Sequence, residues 1–283
     1  MDNLIAPHGS RLVDLMADRT SITELREASR DWPSLDLGPR QLCDLELLLN
    51  GALSPLEGSM GADDHLRVCA EMRLADGTMW PLPLTLDIPD ELGGSLAPGS
   101  DLAIRDREGV MLARLAVAEV FEPDREAEVR ALFGDRPDGD PDVTYYRHRA
   151  TRFAVAGTVE GVQLPVHFDY RELRLAPRDL RRSFTTLGWR KVLAYQTHRT
   201  MHRAQQAMTL AAAREAGASV LIHPAVGMSE PGDFDHYTKV RCYQALMPSY
   251  PKFLAKLNLV PLAVAGGGPR EAVLHGIIHK NYG

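Results

Sequence analysis

The sequence predicts an α/β protein in two parts: a β-rich module with flanking helices, followed by a parallel sheet with crossover helices. Three observations carry this. Short apolar runs punctuated by Pro and Gly fill residues 70–122. Strand-like and helix-like segments alternate beyond about residue 177. The chain has 283 residues, 45% hydrophobic and 25% charged, enough for two modest domains or one large one around ordinary cores.

Residues 10–31 place Leu12, Leu15 and Met16, then Ile22, Leu25 and Ala28, at helical spacing, predicting one or two helices broken near 18–20. A second helix is expected from Pro39 to Asn50, with Leu42, Leu45, Leu48 and Leu49 as its stripe and Gly51 as its stop. Met79 to Leu86 reads as an edge strand, because Pro81 and Pro83 cannot donate to a ladder. Leu102–Asp106 and Met111–Val120 flank Arg107-Glu108-Gly109 as a hairpin. A short helix at Asp124–Phe133 and a strand pair over Phe153–Gln163 follow. Residues 165–174 read as a linker, and the domain boundary is placed near residue 168, giving domains 1–167 and 168–283.

The second part reads as helix Pro177–Leu187, strand Lys191–Tyr195, helix Met201–Ala216, strand Ser219–His223, helix Asp235–Leu246, strand Leu257–Val264 and helix Arg270–Ile278. Gly188 and Gly217 supply stops.

Composition narrows the function classes. No apolar run reaches the roughly 18 residues of a membrane span, and the N-terminus lacks a secretory signal, so a cytoplasmic protein with no membrane partner is expected. Cys43, Cys69 and Cys242 are odd in number and far apart, which argues against a disulfide framework or a thiolate zinc site. The net charge of −6 gives no reason to expect a nucleic-acid partner.

Chemistry concentrates after the first strand of the second part. Gln196-Thr197-His198-Arg199-Thr200-Met201-His202-Arg203-Ala204-Gln205 runs from a strand's carboxyl end into a helix N-terminus, where ligands and anions are favoured. Gln196, His198, Arg199, His202 and Gln205 are donors suited to phosphate oxygens. Spacing alone leaves a second reading open, a polar turn with Thr200 as the helix cap. His275 and His279, at i and i+4, read as a solvated helix face rather than a zinc pair, since no Glu completes the pattern. His223 and His236 with Asp233 and Asp235 are likewise not read as a metal site. Arg181-Arg182 and the arginines from 171 to 178 read as solvated, and Trp32, Trp80 and Trp189 as packing residues.

These residues resemble the ATP sulfurylases (sulfate adenylyltransferases) from Ala6 almost to Gly283. The resemblance rests on Pro7-His8-Gly9, Arg40-Gln41-Leu42-Cys43-Asp44, the run Met72 to Pro81, Ile222-His223-Pro224, Asp235-His236-Tyr237-Thr238, Gly268-Pro269-Arg270-Glu271-Ala272 and Lys280-Asn281-Tyr282-Gly283. It implies a PUA-like N-terminal domain and a Rossmann-like nucleotidyltransferase domain. It also implies ATP as substrate with Mg2+ carried on its phosphates rather than held in a protein cage, sulfate or a related oxyanion as acceptor, and scope for a homo-oligomer. By resemblance His202, Thr197 and Arg199 are the catalytic positions, and Gln196, His198, Gln205, Gly227, Ala265 and Gly268 the substrate- or nucleotide-binding ones.

The departures from the family pattern are specific. Its segment Q-T/F-R-N-P-x-H-R-A-H is met by Gln196, Thr197, His202, Arg203 and Ala204, but His198 stands at its Arg, Arg199 at its Asn, Thr200 at its Pro and Gln205 at its second His. Ala265 stands at the Arg of M-R-x-A-G-P-R-E-A. The family continues past K-N-Y-G into G-R-D-H-A-G, so the resemblance implies a catalytic domain extending beyond Gly283. An arginine clamps an oxyanion bidentately and permanently, whereas neutral His or Ala does not; loss of one such donor costs on the order of 100- to 1000-fold in rate. The expected function is therefore ATP + sulfate → adenosine 5′-phosphosulfate + pyrophosphate with activity open to impairment. The alternatives are a non-catalytic homologue that binds nucleotide or a subunit partner, and an adenylyltransferase for another oxyanion.

Overall fold

A computed structural model of the chain describes residues 4–228, 234–263 and 268–283. The N-terminal part contains α1 (Arg19–Ala28), β1 (Ser34–Asp36), α2 (Pro39–Leu49), β2 (Gly58–Ser59), α3 (Ala62–Glu71), β3 (Leu86–Ile88), α4 (Asp90–Gly93), β4 (Asp101–Arg105), β5 (Met111–Phe121), α5 (Arg125–Phe133), α6 (Pro141–Arg149) and β6 (Phe153–Gly161). The C-terminal part contains α7 (Pro177–Thr186), β7 (Val192–Thr197), α8 (Arg203–Ala216), β8 (Ser219–Pro224), α9 (His236–Leu246), β9 (Ala255–Leu257) and α10 (Gly268–Tyr282).

The first sheet has the order β1-β4-β5-β6-β2, with β3 also on β6. Among the named strands of the described residues only β1 on β4 is parallel there; β5 and β6 form its long antiparallel spine, from Ala113 opposite Gly161 to Phe121 opposite Ala154. The hairpin expected around residues 107–109 is β4 and β5. The second sheet is parallel, in the order β7-β8-β9, with α8 as the crossover between its first two strands. β8 is buried along almost its whole length, which is why it reads as a continuous apolar run rather than an alternating one.

The local sequence explains the helices that position the site. Pro177 opens α7 at a place where a missing N–H costs nothing, and Leu180 and Phe184 turn inward one turn apart. α8 is rich in alanine and stops at Gly217, whose φ of 59° is left-handed. Asp235 caps α9 by accepting from the Thr238 amide at 3.0 Å.

Several expectations are corrected. Residues 10–17 are not helical. Leu15 accepts from the Gly161 amide at 2.7 Å and Ala17 donates to the Gly161 carbonyl at 2.9 Å, so the segment lies along β6. Asp18 then starts α1 by accepting from the Thr20 and Ser21 amides. Met79–Thr85 is not strand; the two prolines interrupt pairing, and the ladder begins only at Leu86. The expected strand pair over 153–163 is the single strand β6, paired with β5. The strand expected at Leu257–Val264, whose last residue lies outside the described residues, is displaced to Ala255–Leu257, after which Val260 makes one isolated bridge to Ala225. α3 and α6 have no counterpart in the sequence reading.

One core joins the two sheets. Leu47, Leu49, Trp80, Leu102 and Leu115 pack in the same cluster as Leu180, Phe184, Leu221, Val260, Ile278 and Tyr282. Trp80 and Trp189 are buried packing residues, as expected, and Trp32 is half-buried beside Arg114. Arg181 is corrected from solvated to buried. Its guanidinium donates to the carbonyls of Ile5 (2.7 Å), Lys280 (2.7 Å) and Asn281 (2.8 Å), tying α7 to α10 and to the N-terminal segment. Asn281, fully buried, accepts from the His8 amide at 2.8 Å and donates to the carbonyls of Ala52 and Ser54. The Pro-His-Gly and Lys-Asn-Tyr-Gly segments, far apart in sequence, are thus two sides of one hydrogen-bonded seam.

Candidate active site at the end of the parallel sheet

β7 ends in Gln196 and Thr197, paired with His223 and Pro224 of β8. The chain then turns through residues 198–202 and enters α8. Thr197 Oγ1 accepts from the Arg199 amide at 3.1 Å and donates to the Arg199 carbonyl at 2.9 Å, while the Tyr243 hydroxyl donates to that carbonyl from α9. The backbone of the turn is therefore held from both sides, and the Arg199 side chain is left exposed.

His202 is the N-cap of α8, with extended backbone and an exposed side chain. Its amide donates to Gln205 Oε1 at 2.9 Å, the return bond of a capping box. The cap role considered for Thr200 thus falls to His202. Gln205 has its side-chain oxygen engaged in the helix start, leaving only its amide N–H groups to a ligand. The structure brings Gln196, Thr197, His198, Arg199, His202 and Gln205 onto one edge, where the positive end of α8 and exposed donors meet.

The remaining expected residues divide differently. Gly227 follows β8, and a Cβ there would lie 2.7 Å from the Leu262 carbonyl group and 2.8 Å from Cys43 Sγ. Its glycine is accounted for by the close approach of the 260–262 segment and α2. Gly268 opens α10 in open space. Ala265 lies outside the described residues. His236 pairs with Asp169 rather than with His223, and among the described residues no group of three or more His, Cys, Asp or Glu side chains is placed to share a metal ion.

α10 corrects another expectation. His275 and His279 do not form a solvated face. His275 Nδ1 meets Gln196 Nε2 at 3.1 Å, and its Nε2 is 3.6 Å from Glu271 Oε1. His279 Nδ1 meets Nδ1 of the fully buried His223 at 3.1 Å, and Asn258 and Tyr282 close around His223. Burial and the neighbouring His279 hold His223 well below the usual imidazole range. Burial and the neighbouring His275 hold His279 at about 4. Both rings are neutral at pH 7, so one Nδ1 carries the shared proton and the other accepts it. Only the i, i+4 spacing of the two histidines pointed to this polar layer beneath the site; their inward direction depends on β7 and β8. A cavity of about 180 Å3 adjoins it on the other side, lined by Arg40, Asp44, Trp80, Glu128, Glu271 and His275 among others.

Comparison with known proteins follows this geometry. Residues 5–164 match the family model described as PUA-like domain, and residues 171–283 match that described as ATP-sulfurylase. Residues 5–164 belong to the PUA-like domain family, and residues 171–283 are similar to the ATP-sulfurylase family. It is 48% identical to the sulfate adenylyltransferase of Phaeosphaeria nodorum over 98% of this chain and 49% of that protein. It is 45% identical to the sulfate adenylyltransferase of Mycosarcoma maydis, with the same two coverages of 98% and 49%. A solved structure, the hexameric APS kinase from Thiobacillus denitrificans, matches with a TM-score of 0.83 and 35% identity, over 99% of this chain and 51% of that one. The chain spans about half the length of the curated relatives it matches. The architecture is thus a PUA-like domain followed by a parallel-sheet domain. Among the described residues no helix is long and apolar enough to cross a membrane.

Proposed function

We propose that the chain carries the adenylyl-transfer site of a sulfate adenylyltransferase, converting ATP and sulfate, or a related oxyanion, to adenosine 5′-phosphosulfate and pyrophosphate. The observation that carries the reading is the β7–α8 edge. Its turn backbone is pinned by Thr197 and Tyr243, while Arg199 and His202 present exposed donors beside a helix N-terminus. A sulfate oxygen attacks the α-phosphorus; the bond from that phosphorus to the bridging oxygen breaks, and pyrophosphate leaves with the electron pair. Gln196 holds the acceptor anion, and His202 and Arg199 offset charge on the α-phosphate and leaving pyrophosphate. Magnesium arrives on the ATP phosphates as part of the substrate. We place the boundary between the two domains at 167/168, and take the protein to work as a homo-oligomer in the cytoplasm.

The test is sulfate-dependent exchange of pyrophosphate into ATP by the purified protein. Exchange lost at least 100-fold in His202→Ala supports the reading. Exchange that persists in that variant, or its absence with sulfate and every other oxyanion tried, refutes catalysis at this edge. The second result favours a nucleotide-binding homologue, a reading supported by Gln205 standing in the helix cap with its oxygen already engaged.

A further inference from the structure

We propose that His275 and Glu271 of α10 form a positioning pair that fixes the amide of Gln196 with its N–H groups, not its oxygen, available to the acceptor anion. The proposal deepens the reading of Gln196 as the anion-holding residue and rests on it.

A primary amide has two faces of opposite sign, and an oxyanion is bound by only one of them. Gln196 sits near the end of β7, where nothing on its own strand dictates that choice. The choice comes from α10. His275 Nδ1 lies 3.1 Å from Gln196 Nε2. For this contact to be a hydrogen bond from the amide, Nδ1 must be the unprotonated nitrogen, so the ring proton must sit on Nε2. Glu271, itself 8% exposed, places Oε1 3.6 Å from that Nε2. The two atoms are not hydrogen-bonded, and the carboxylate's negative charge acts across the gap to favour the Nε2–H tautomer. With Nε2 of Gln196 turned to His275, its Oε1 is directed into buried space without a hydrogen-bond partner among the described residues. The amide's second N–H is left as the group for a ligand. The opposite tautomer would set a ring N–H against the amide N–H and favour the flipped amide, presenting oxygen to the anion.

The order of events along the fold is therefore carboxylate, imidazole, amide, anion, carried across an interface between the first turns of α10 and the edge of the parallel sheet. Neither His275 nor Glu271 touches substrate in this arrangement; both act through Gln196.

The experiment compares wild type with His275→Leu, His275→Asn, Gln196→Ala and the His275→Leu/Gln196→Ala double variant. Asn places its side-chain oxygen close to the position of Nδ1 and so retains the acceptor. Two quantities are read: the side-chain amide signal of Gln196 by nitrogen-15 NMR, assigned by its loss in Gln196→Ala, and the affinity for sulfate measured calorimetrically in the presence of a non-hydrolysable ATP analogue. The expected result is a Gln196 signal displaced in His275→Leu and retained in His275→Asn. Sulfate affinity should fall roughly tenfold in His275→Leu, the scale of one neutral hydrogen bond, and no further in the double variant. Affinity for the ATP analogue stays unchanged in His275→Leu and His275→Asn. An unmoved Gln196 signal in His275→Leu overturns the positioning role. A moved signal with sulfate affinity reduced by Gln196→Ala but not by His275→Leu also overturns it. Sulfate binding that is absent, or indifferent to Gln196→Ala, overturns instead the assignment of Gln196 to the anion, and the proposal with it.

Discussion

The His223–His279 pair sets a pH limit on this fold, and its size follows from the structure. Two neutral imidazoles share one proton between Nδ1 atoms 3.1 Å apart, one ring fully buried on β8 and the other on α10. The groups facing them are Asn258, Tyr282 and, one turn away, His275; among the described residues no carboxylate touches either ring. His279 titrates at about 4 when folded against 6.5 as an ordinary histidine. The unfolded chain therefore binds more protons between these values, and stability is lost as pH falls through that window. Linkage from His279 alone amounts to about 2 kcal/mol lost between pH 7 and pH 5, approaching ~3 kcal/mol near pH 4. His223 acts in the same direction. The perturbation is His279→Asn, which keeps a polar atom near the Nδ1 position and removes one titration. Urea unfolding of wild type and variant at pH 7 and pH 5 gives four stabilities. The variant is expected to lose at least 1 kcal/mol less than wild type between the two pH values. Equal losses in both proteins would refute the account of the pair as neutral by burial.

Three further perturbations test the framework. Arg181→Ala leaves the carbonyls of Ile5, Lys280 and Asn281 without their buried donor, and should destabilise by ~3 kcal/mol or more in chemical unfolding, whereas the exposed neighbour Arg182→Ala stays within about 0.5 kcal/mol. Gly227→Ala forces a methyl group against the Leu262 carbonyl and Cys43; a cost of about 1–3 kcal/mol is expected in thermal or urea unfolding. Gln205→Ala removes the acceptor for the His202 amide and should lower the midpoint by an amount equivalent to ~0.5–1 kcal/mol, while Gln205→Glu, which retains the acceptor and completes an ordinary capping box, restores it. A Gln205→Glu variant no more stable than Gln205→Ala would show that the amide has another structural task.

The second half of the chain was the more legible in sequence. Its strands and helices are separate, strongly patterned segments with local stops: Gly188 after α7 and Gly217 after α8 end helices through backbone geometry that needs no distant partner. The β7–α8 turn was legible for the same reason, since a polar run between an apolar strand and an alanine-rich helix is a local signal. The first half was less so. Leu12, Leu15 and Met16 fit a helical spacing over a short window, but the backbone from Leu15 to Ala17 pairs with β6 about 145 residues away. α3 buries only His65, Val68 and Cys69, too thin a stripe to stand out from its acidic first turn.

The sequence by itself determined the family resemblance, the order of a β-rich part before a parallel sheet, and the position of a donor-rich turn at a strand's carboxyl end, because each rests on residue pattern or chain-local geometry. Tertiary structure alone decided the inward direction of His275 and His279 and the burial of Arg181. A histidine or arginine is compatible with either solvent or core; which one it meets is settled by whether another element brings a hydrogen-bond partner, and here those partners are Gln196, His223 and three main-chain carbonyls supplied by distant segments.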